Sequence, residues 1–226
     1  MRCWIYVDGF NLYNGAARRT SCKWLDLLAL GCKLRPQDTI ERIKFFTALV
    51  ERRTDNPGQQ QKQRTYWRAL DTLGCVERIE GRFSRWPKHL PLEASVQTLE
   101  TLEARGCNVA GVKPIMMRVM RSEEKGSDVN LAVHLLHDAH QTDPAKTFDL
   151  ALVLSTDSDL AEAIRLVTQE VGKPVYVGKP NPNDRIDALK AAATGVFDLK
   201  TSHLKASVFP ATLTDARGTF SKPPDW

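Results

Sequence analysis

Apolar positions in this chain gather into short dense runs, and helical periodicities lie between them. Cys3 to Val7 (CWIYV) is an unbroken β-favouring run that meets a polar turn at Asp8-Gly9-Phe10-Asn11, the pattern of a buried strand that ends abruptly. Phe148 to Leu154 (FDLALVL) repeats it, running into Ser155-Thr156-Asp157-Ser158-Asp159 with helical spacing from Leu160 to Glu170 behind. Ile43 to Val50 predicts a further strand, followed by an Asn-Pro-Gly turn and a helical stretch from Arg64 to Leu73. Pro174 to Val177 and Val196 to Leu199 read as short strands on either side of a helix over Ile186 to Ala193.

The clearest helix is DVNLAVHLLHDAH, where Val129, Ala132, Val133, Leu136 and Ala139 keep the three-and-four spacing. Ser127 or Asp128 is expected to cap it. Before it, CVERIEGRFSRWP predicts a strand leading into a basic, aromatic loop, and Gly111 to Met120 a further strand. Pro87 to Cys107 carries no clear period.

Strands alternating with helices predict an α/β fold, a three-layer α/β/α sandwich on a mainly parallel central sheet. We expect a single domain over 1–209 with an insertion around 80–110, and a Pro- and Thr-rich tail over 210–226 lying irregularly on it. No internal repeat interrupts that reading.

The 226 residues are 42% hydrophobic and 26% charged, enough to bury a core. No stretch nears the roughly 18 apolar residues of a membrane helix, and the start lacks a signal-peptide run, so a soluble, cytoplasmic protein without membrane contact is expected. Five cysteines without a CxxC pair argue against a disulfide framework or a four-thiolate zinc site. The net charge of +5 suits a polyanionic partner without requiring one. A homodimer is compatible with all of this.

In parallel sheets ligands bind beyond the carboxyl ends of the strands, so acids ending strands or opening helices are the ones to inspect. Asp8, Asp128, Asp157 and Asp159 meet that test. Each alone is ordinary turn or capping chemistry. Together on one edge they would repel unless a hard cation lay between them, and Mg²⁺ or Mn²⁺ in such a site suits phosphodiester chemistry. Asn11, Ser155 and Thr156 add an amide and two hydroxyls beside the acids.

Three blocks carry a resemblance. YVDGFNLYNG, EKGSDVNLAVHLLHDA and LVLSTDSDLAEAIRLV look like the signature blocks of NYN domains of the LabA-like subgroup, within the PIN-like nuclease superfamily, in the same order across nearly the whole chain. The resemblance implies a PIN-like, Rossmann-like sandwich and an acid cluster binding Mg²⁺ or Mn²⁺ for cleavage of RNA. It assigns Asp8 and Asn11 from the first block, Asp128 with Lys125 nearby from the second, and Asp157 and Asp159 from the third. The metal set would be Asp8, Asp128 and Asp157. One departure stands out: relatives often carry a further Asp where this chain has His134, and that position lies about 240° around the helix from Asp128.

Other features admit plainer readings. His134, His137 and His140 recur every third residue, but such positions drift around a helix, and solvation or capping accounts for them. Arg78, Arg82, Arg85 and Lys88, interleaved with Phe83 and Trp86, are either a groove for single-stranded RNA or a solvated loop. Arg52, Arg53, Lys62, Arg64 and Arg68 with Tyr66 and Trp67 form a second basic group, whose aromatics the helical pattern sends to the core. The leading expectation is therefore a metal-dependent ribonuclease. Its alternative is an RNA-binding or interaction module of the same fold with little or no catalysis; a phosphatase or toprim-type enzyme fits the first strand poorly.

Overall fold

The strand Arg2–Asp8 (β1) is apolar on both faces and lies in the interior of a six-stranded sheet. A computed structural model describes residues 1–51, 56–224 and 226; Arg52 and Arg53 of the second basic group lie outside the described residues. The remaining strands are β2 (Thr39–Thr47), β3 (Val76–Glu80), β4 (Arg82–Pro91), β5 (Met116–Lys125), β6 (Leu150–Leu154), β7 (Val175–Lys179), β8 (Gly195–Asp198), β9 (Thr212–Asp215) and β10 (Gly218–Ser221). The helices are α1 (Gly9–Leu12), α2 (Leu27–Leu34), α3 (Gln59–Asp71), α4 (Glu93–Ala104), α5 (Ser127–Ala139), α6 (Ala161–Arg165), α7 (Asp187–Ala192) and α8 (Thr201–Lys205).

The chain divides into two compact units, one made of Met1–Arg82 with Lys125–Trp226 and the other of Phe83–Glu124. The first unit holds a six-stranded sheet in the order β3-β2-β1-β6-β7-β8, parallel throughout. Side chains alternate across β1: Cys3, Ile5 and Val7 join α2, α3 and α8 on one face, while Trp4 and Tyr6 join α5, α6 and α7 on the other. The result is the three-layer α/β/α architecture expected from the sequence. Burial pushes the Cys3 thiol up to about 12, so this cysteine is inert packing.

The second unit is a two-stranded sheet of β4 and β5 with α4 between them in sequence. Leu92 N donates to Ile115 O at 2.8 Å and Ile115 N to Ser95 Oγ at 3.0 Å, tying the start of α4 to the start of β5.

Three expectations need correction. The basic stretch expected as a loop is β4, because Arg82–Pro91 finds a pairing partner in β5. The tail expected to be irregular contains the β9–β10 hairpin, whose Leu213 and Phe220 pack toward the core. Arg68 holds that hairpin, donating to both carboxylate oxygens of Asp215 at 2.8 and 2.6 Å with its guanidinium 4.0 Å from the Phe220 ring centre. Finally, Ser127 and Asp128 do not cap α5. They are its first residues, and the cap is Gly126 at φ 102°, a left-handed conformation that favours glycine.

Candidate functional site

Strand order reverses between β1 and β6, and the crevice beyond their carboxyl ends is where open parallel sheets place ligands. Asp8 closes β1 and opens α1. Its Oδ1 accepts from Asn11 N at 2.9 Å and its Oδ2 from Ser155 Oγ at 2.9 Å. The turn is tight enough that a Cβ on Gly9 would stand 2.8 Å from Phe46 O. Glycine there lets Asp8 fold back as a cap.

Ser155, the first residue after β6, also accepts from Asp157 N at 3.1 Å through the same Oγ. One hydroxyl thus joins the two acidic turns. Asp157 in turn caps the short helix behind it, accepting from Asp159 N at 2.9 Å. Burial is the main cause that raises the Asp8 carboxyl above its ordinary range; the bonds from Asn11 and Ser155 oppose it, and the charge of Asp157 reinforces it. A buried carboxylate beside a second acid is a place where positive charge is favoured.

Beside this pair runs a second polar chain. Asn11 Oδ1 accepts from Thr156 N and Oγ1, both at 3.2 Å. Thr156 Oγ1 also lies 2.6 Å from Asp184 Oδ2 as its donor, and Asn181 Nδ2 donates to Asp184 Oδ1 at 2.6 Å. Asp184 and Asn181 belong to the turn after β7 and were not singled out from the sequence. The signal was there, since PNPND follows an apolar strand as DGFN follows β1.

The structure therefore brings Asp8, Asn11, Ser155, Thr156 and Asp157 together. Asp159 is exposed at the rim. Asp128 stands on the same edge of the sheet: α5 begins beside the end of β3, where a Cβ on Gly126 would lie 3.9 Å from Gly81 Cα. Two strand spacings, about 10 Å, separate β3 from β1. Among the described residues no group of three or more His, Cys, Asp or Glu side chains is placed to hold a metal ion, and the expected trio of Asp8, Asp128 and Asp157 is not assembled as one. Ser155 is fully buried, with its Oγ hydrogen-bonded to both acidic turns. Lys125 is exposed at the end of β5, and Arg82 and Arg85 are exposed on β4. Arg78 is engaged by Asp71 and Glu80 and lies over the Trp67 ring, which is core packing.

His134 lies away from Asp128, on the side of α5 that meets β2. Lys44 Nζ donates to its Nδ1 at 3.1 Å, and its ring meets that of Phe46 at 5.6 Å between centres. Lys44 also pairs with Asp138 at 2.6 Å, and Tyr6 Oη donates to the same Asp138 oxygen at 2.7 Å. Burial first, and then the Lys44 charge, hold the imidazole below its ordinary value, while Asp138 and Glu77 oppose this and His137 adds to it. A depressed histidine contributes stability that is complete above its unfolded value near 6.5 and is lost as pH falls from there through the folded value. Urea unfolding at pH 7, 6 and 5 should show that loss. His134→Asn, which keeps an acceptor for Lys44, should flatten it.

No family model matches the sequence. The chain is 27% identical over 250 aligned positions, covering all of it and 75% of the other protein, to one named 6-hydroxy-3-succinoylpyridine 3-monooxygenase HspA from Pseudomonas putida. A crystal structure of a protein of unknown function from Vibrio parahaemolyticus is similar in fold, with a TM-score of 0.51 and 17% identity over 88% of this chain and 93% of the other. These findings correct the enzymatic expectation: the relative aligned with the whole chain carries the name of a monooxygenase, and that is not a ribonuclease. No described helix is long and apolar enough to cross a membrane.

Proposed function

We propose that this chain binds RNA, taking a backbone phosphate into the crevice between β1 and β6 through a divalent cation, Mg²⁺ or Mn²⁺, held by Asp8 and Asp157. The observation that carries the reading is the single Ser155 hydroxyl bonded to both acidic turns, which fixes two carboxyl groups in one crevice with Asp8 buried. Two carboxylates are too few for a closed metal centre, but Mg²⁺ usually takes one or two together with waters and ligand phosphates. The cation would supply the positive charge that lets an anionic ligand approach acidic side chains. The net charge of +5 and the three blocks resembling NYN domains support RNA as that anion.

A second reading follows from the similarity over the whole chain. In it the crevice takes a hydroxylated pyridine bearing a succinoyl carboxylate, again an anion that needs a cation beside Asp8 and Asp157.

Anisotropy of a labelled single-stranded RNA, titrated with the protein in Mg²⁺, Mn²⁺ or EDTA, separates the readings. RNA affinity that rises with the cation and loses that rise in Asp157→Asn is expected. Affinity indifferent to EDTA overturns the proposal. Oxygen uptake on adding 6-hydroxy-3-succinoylpyridine with a two-electron donor, without RNA binding, establishes the second reading instead.

A further inference from the structure

Between Asp8 and Asp26 the sequence holds no acid, and Arg18 and Arg19 fall in that interval. Its first part is α1, which passes at Tyr13 into a π-helical stretch, Tyr13–Ala17, closed by Arg18 N donating to Tyr13 O at 2.7 Å. Such wide turns are rare and recur at functional sites. The stretch runs along the rim of the crevice. Asn11 faces Thr156, and four residues on, Gly15 lies so near the turn after β7 that a Cβ there would stand 3.0 Å from Pro180 Cβ and 3.1 Å from Asn181 N. Residues three and four apart share one face of a helix, so Arg18 and Arg19 continue the stripe that Asn11 and Gly15 begin.

The turn after β7 adds a third cation. Arg185 follows Asp184, whose carboxylate is taken up by Thr156 and Asn181. The contact of Gly15 with that turn thus brings three arginines from two elements to one rim. All three are exposed, and among the described residues none has a carboxylate partner. Of the other acids on this side, Asp198 pairs with Lys179 at 3.5 Å, which leaves the exposed Asp187 at the start of α7. One unpaired acid stands against three guanidinium groups, each of which can fork onto phosphate oxygens. Asn11 and Arg19 are about two helical turns apart, roughly 10 Å, farther than one nucleotide reaches and within the span of a short strand.

We propose that Arg18, Arg19 and Arg185 form the track along which an RNA strand leaves the crevice, each holding a phosphate beyond the one at Asp8 and Asp157. The inference rests on the crevice reading and extends it from one phosphate to a strand several nucleotides long. The two parts act differently. A phosphate beside the acids needs a divalent cation, whereas those on the track meet fixed positive charge and need none.

Anisotropy of a labelled single-stranded RNA of about ten nucleotides, within the span of single-strand sites, tests the track in the full chain across a salt series, with Mg²⁺ and with EDTA. Arg18→Gln/Arg19→Gln/Arg185→Gln should keep the parent's circular dichroism spectrum and melting temperature but bind about tenfold or more weakly. It should flatten the plot of log affinity against log salt by about two units, since each single-strand phosphate contact contributes about 0.7. Its response to EDTA should match the parent's. Asp157→Asn should lose that response, and adding the three arginine changes to it should still flatten the slope. Lys33→Gln/Lys146→Gln, which removes two exposed cations from the amino edge of the sheet, should leave affinity and slope nearly unchanged. If the arginine variant binds as the parent does, or the lysine control costs as much, the track is overturned and the crevice reading stands. Parent binding that ignores EDTA, or no binding, overturns the crevice reading and the track with it.

Discussion

Lys44→Met is expected to destabilise the protein by about 3–5 kcal/mol, measured by urea unfolding at pH 7. The Lys44 and Asp138 side chains are only 5% and 6% exposed, 2.6 Å apart, beneath α5. Removing the ammonium leaves a buried carboxylate whose remaining side-chain donor is Tyr6 Oη. It also removes the donor to His134 and the cation lying 5.7 Å from the Trp4 ring centre. An unpaired buried charge costs more than the pair contributed, so the second change matters as much as the first. Lys44→Met with Asp138→Leu should recover much of the loss, since an apolar pair of similar volume carries no desolvation cost. A single variant as stable as the parent would mean that water reaches this network in solution.

Asp8→Asn is expected to weaken Mn²⁺ binding at least tenfold, about 1.4 kcal/mol, followed by electron paramagnetic resonance of the free ion, while the metal-free protein melts a few degrees higher. The sign follows from the direction of the carboxyl shift. Burial raises Asp8 above its ordinary range, so its contribution to folding is complete only below that range and is lost as pH rises through the raised value. At pH 7 that contribution has been reduced. Asparagine keeps an acceptor for Asn11 N and offers an amide to Ser155 Oγ, preserving the turn without the charge. The exposed Asp159→Asn is the control and should change neither quantity appreciably. Unchanged Mn²⁺ affinity in Asp8→Asn places the cation elsewhere.

The sheet was legible wherever burial on two faces left a continuous apolar run. β1 and β6 read directly as CWIYV and LALVL for that reason. Helix α5 was legible as a helix, but its buried face was not: of the period drawn through Val129, Ala132, Val133, Leu136 and Ala139, Val129 and Val133 are exposed, and Leu131, Leu135 and Ala139 face the core. Helix α4 was not legible, because none of its positions is buried and burial therefore imprints no period on its sequence. Its neighbour β5 starts at Met116, after Pro114, where the sequence reading had begun the strand at Gly111.

The crevice was half legible. Asp8 closes β1 and Asp157 lies three residues beyond β6, whereas Asp184 lies five residues beyond β7 and enters only because its turn folds back onto Thr156. Asp128 was assigned correctly to the carboxyl edge. Distance across the sheet, which no spacing in the sequence encodes, separates the start of α5 from β1.

The central position of β1 also bears on how the protein is made. Among the six strands of the sheet it is synthesised first, and it needs neighbours on both edges and both faces. β2 covers one edge after some thirty residues, but the other waits for β6, which begins at Leu150. At synthesis rates of 5–20 residues per second, that edge stays unpaired for roughly seven to thirty seconds. Through this interval an apolar strand with a row of free backbone donors and acceptors is open to any other nascent or unfolded chain. Yield in a cell should therefore respond more to chaperone supply and translation speed than equilibrium stability alone suggests.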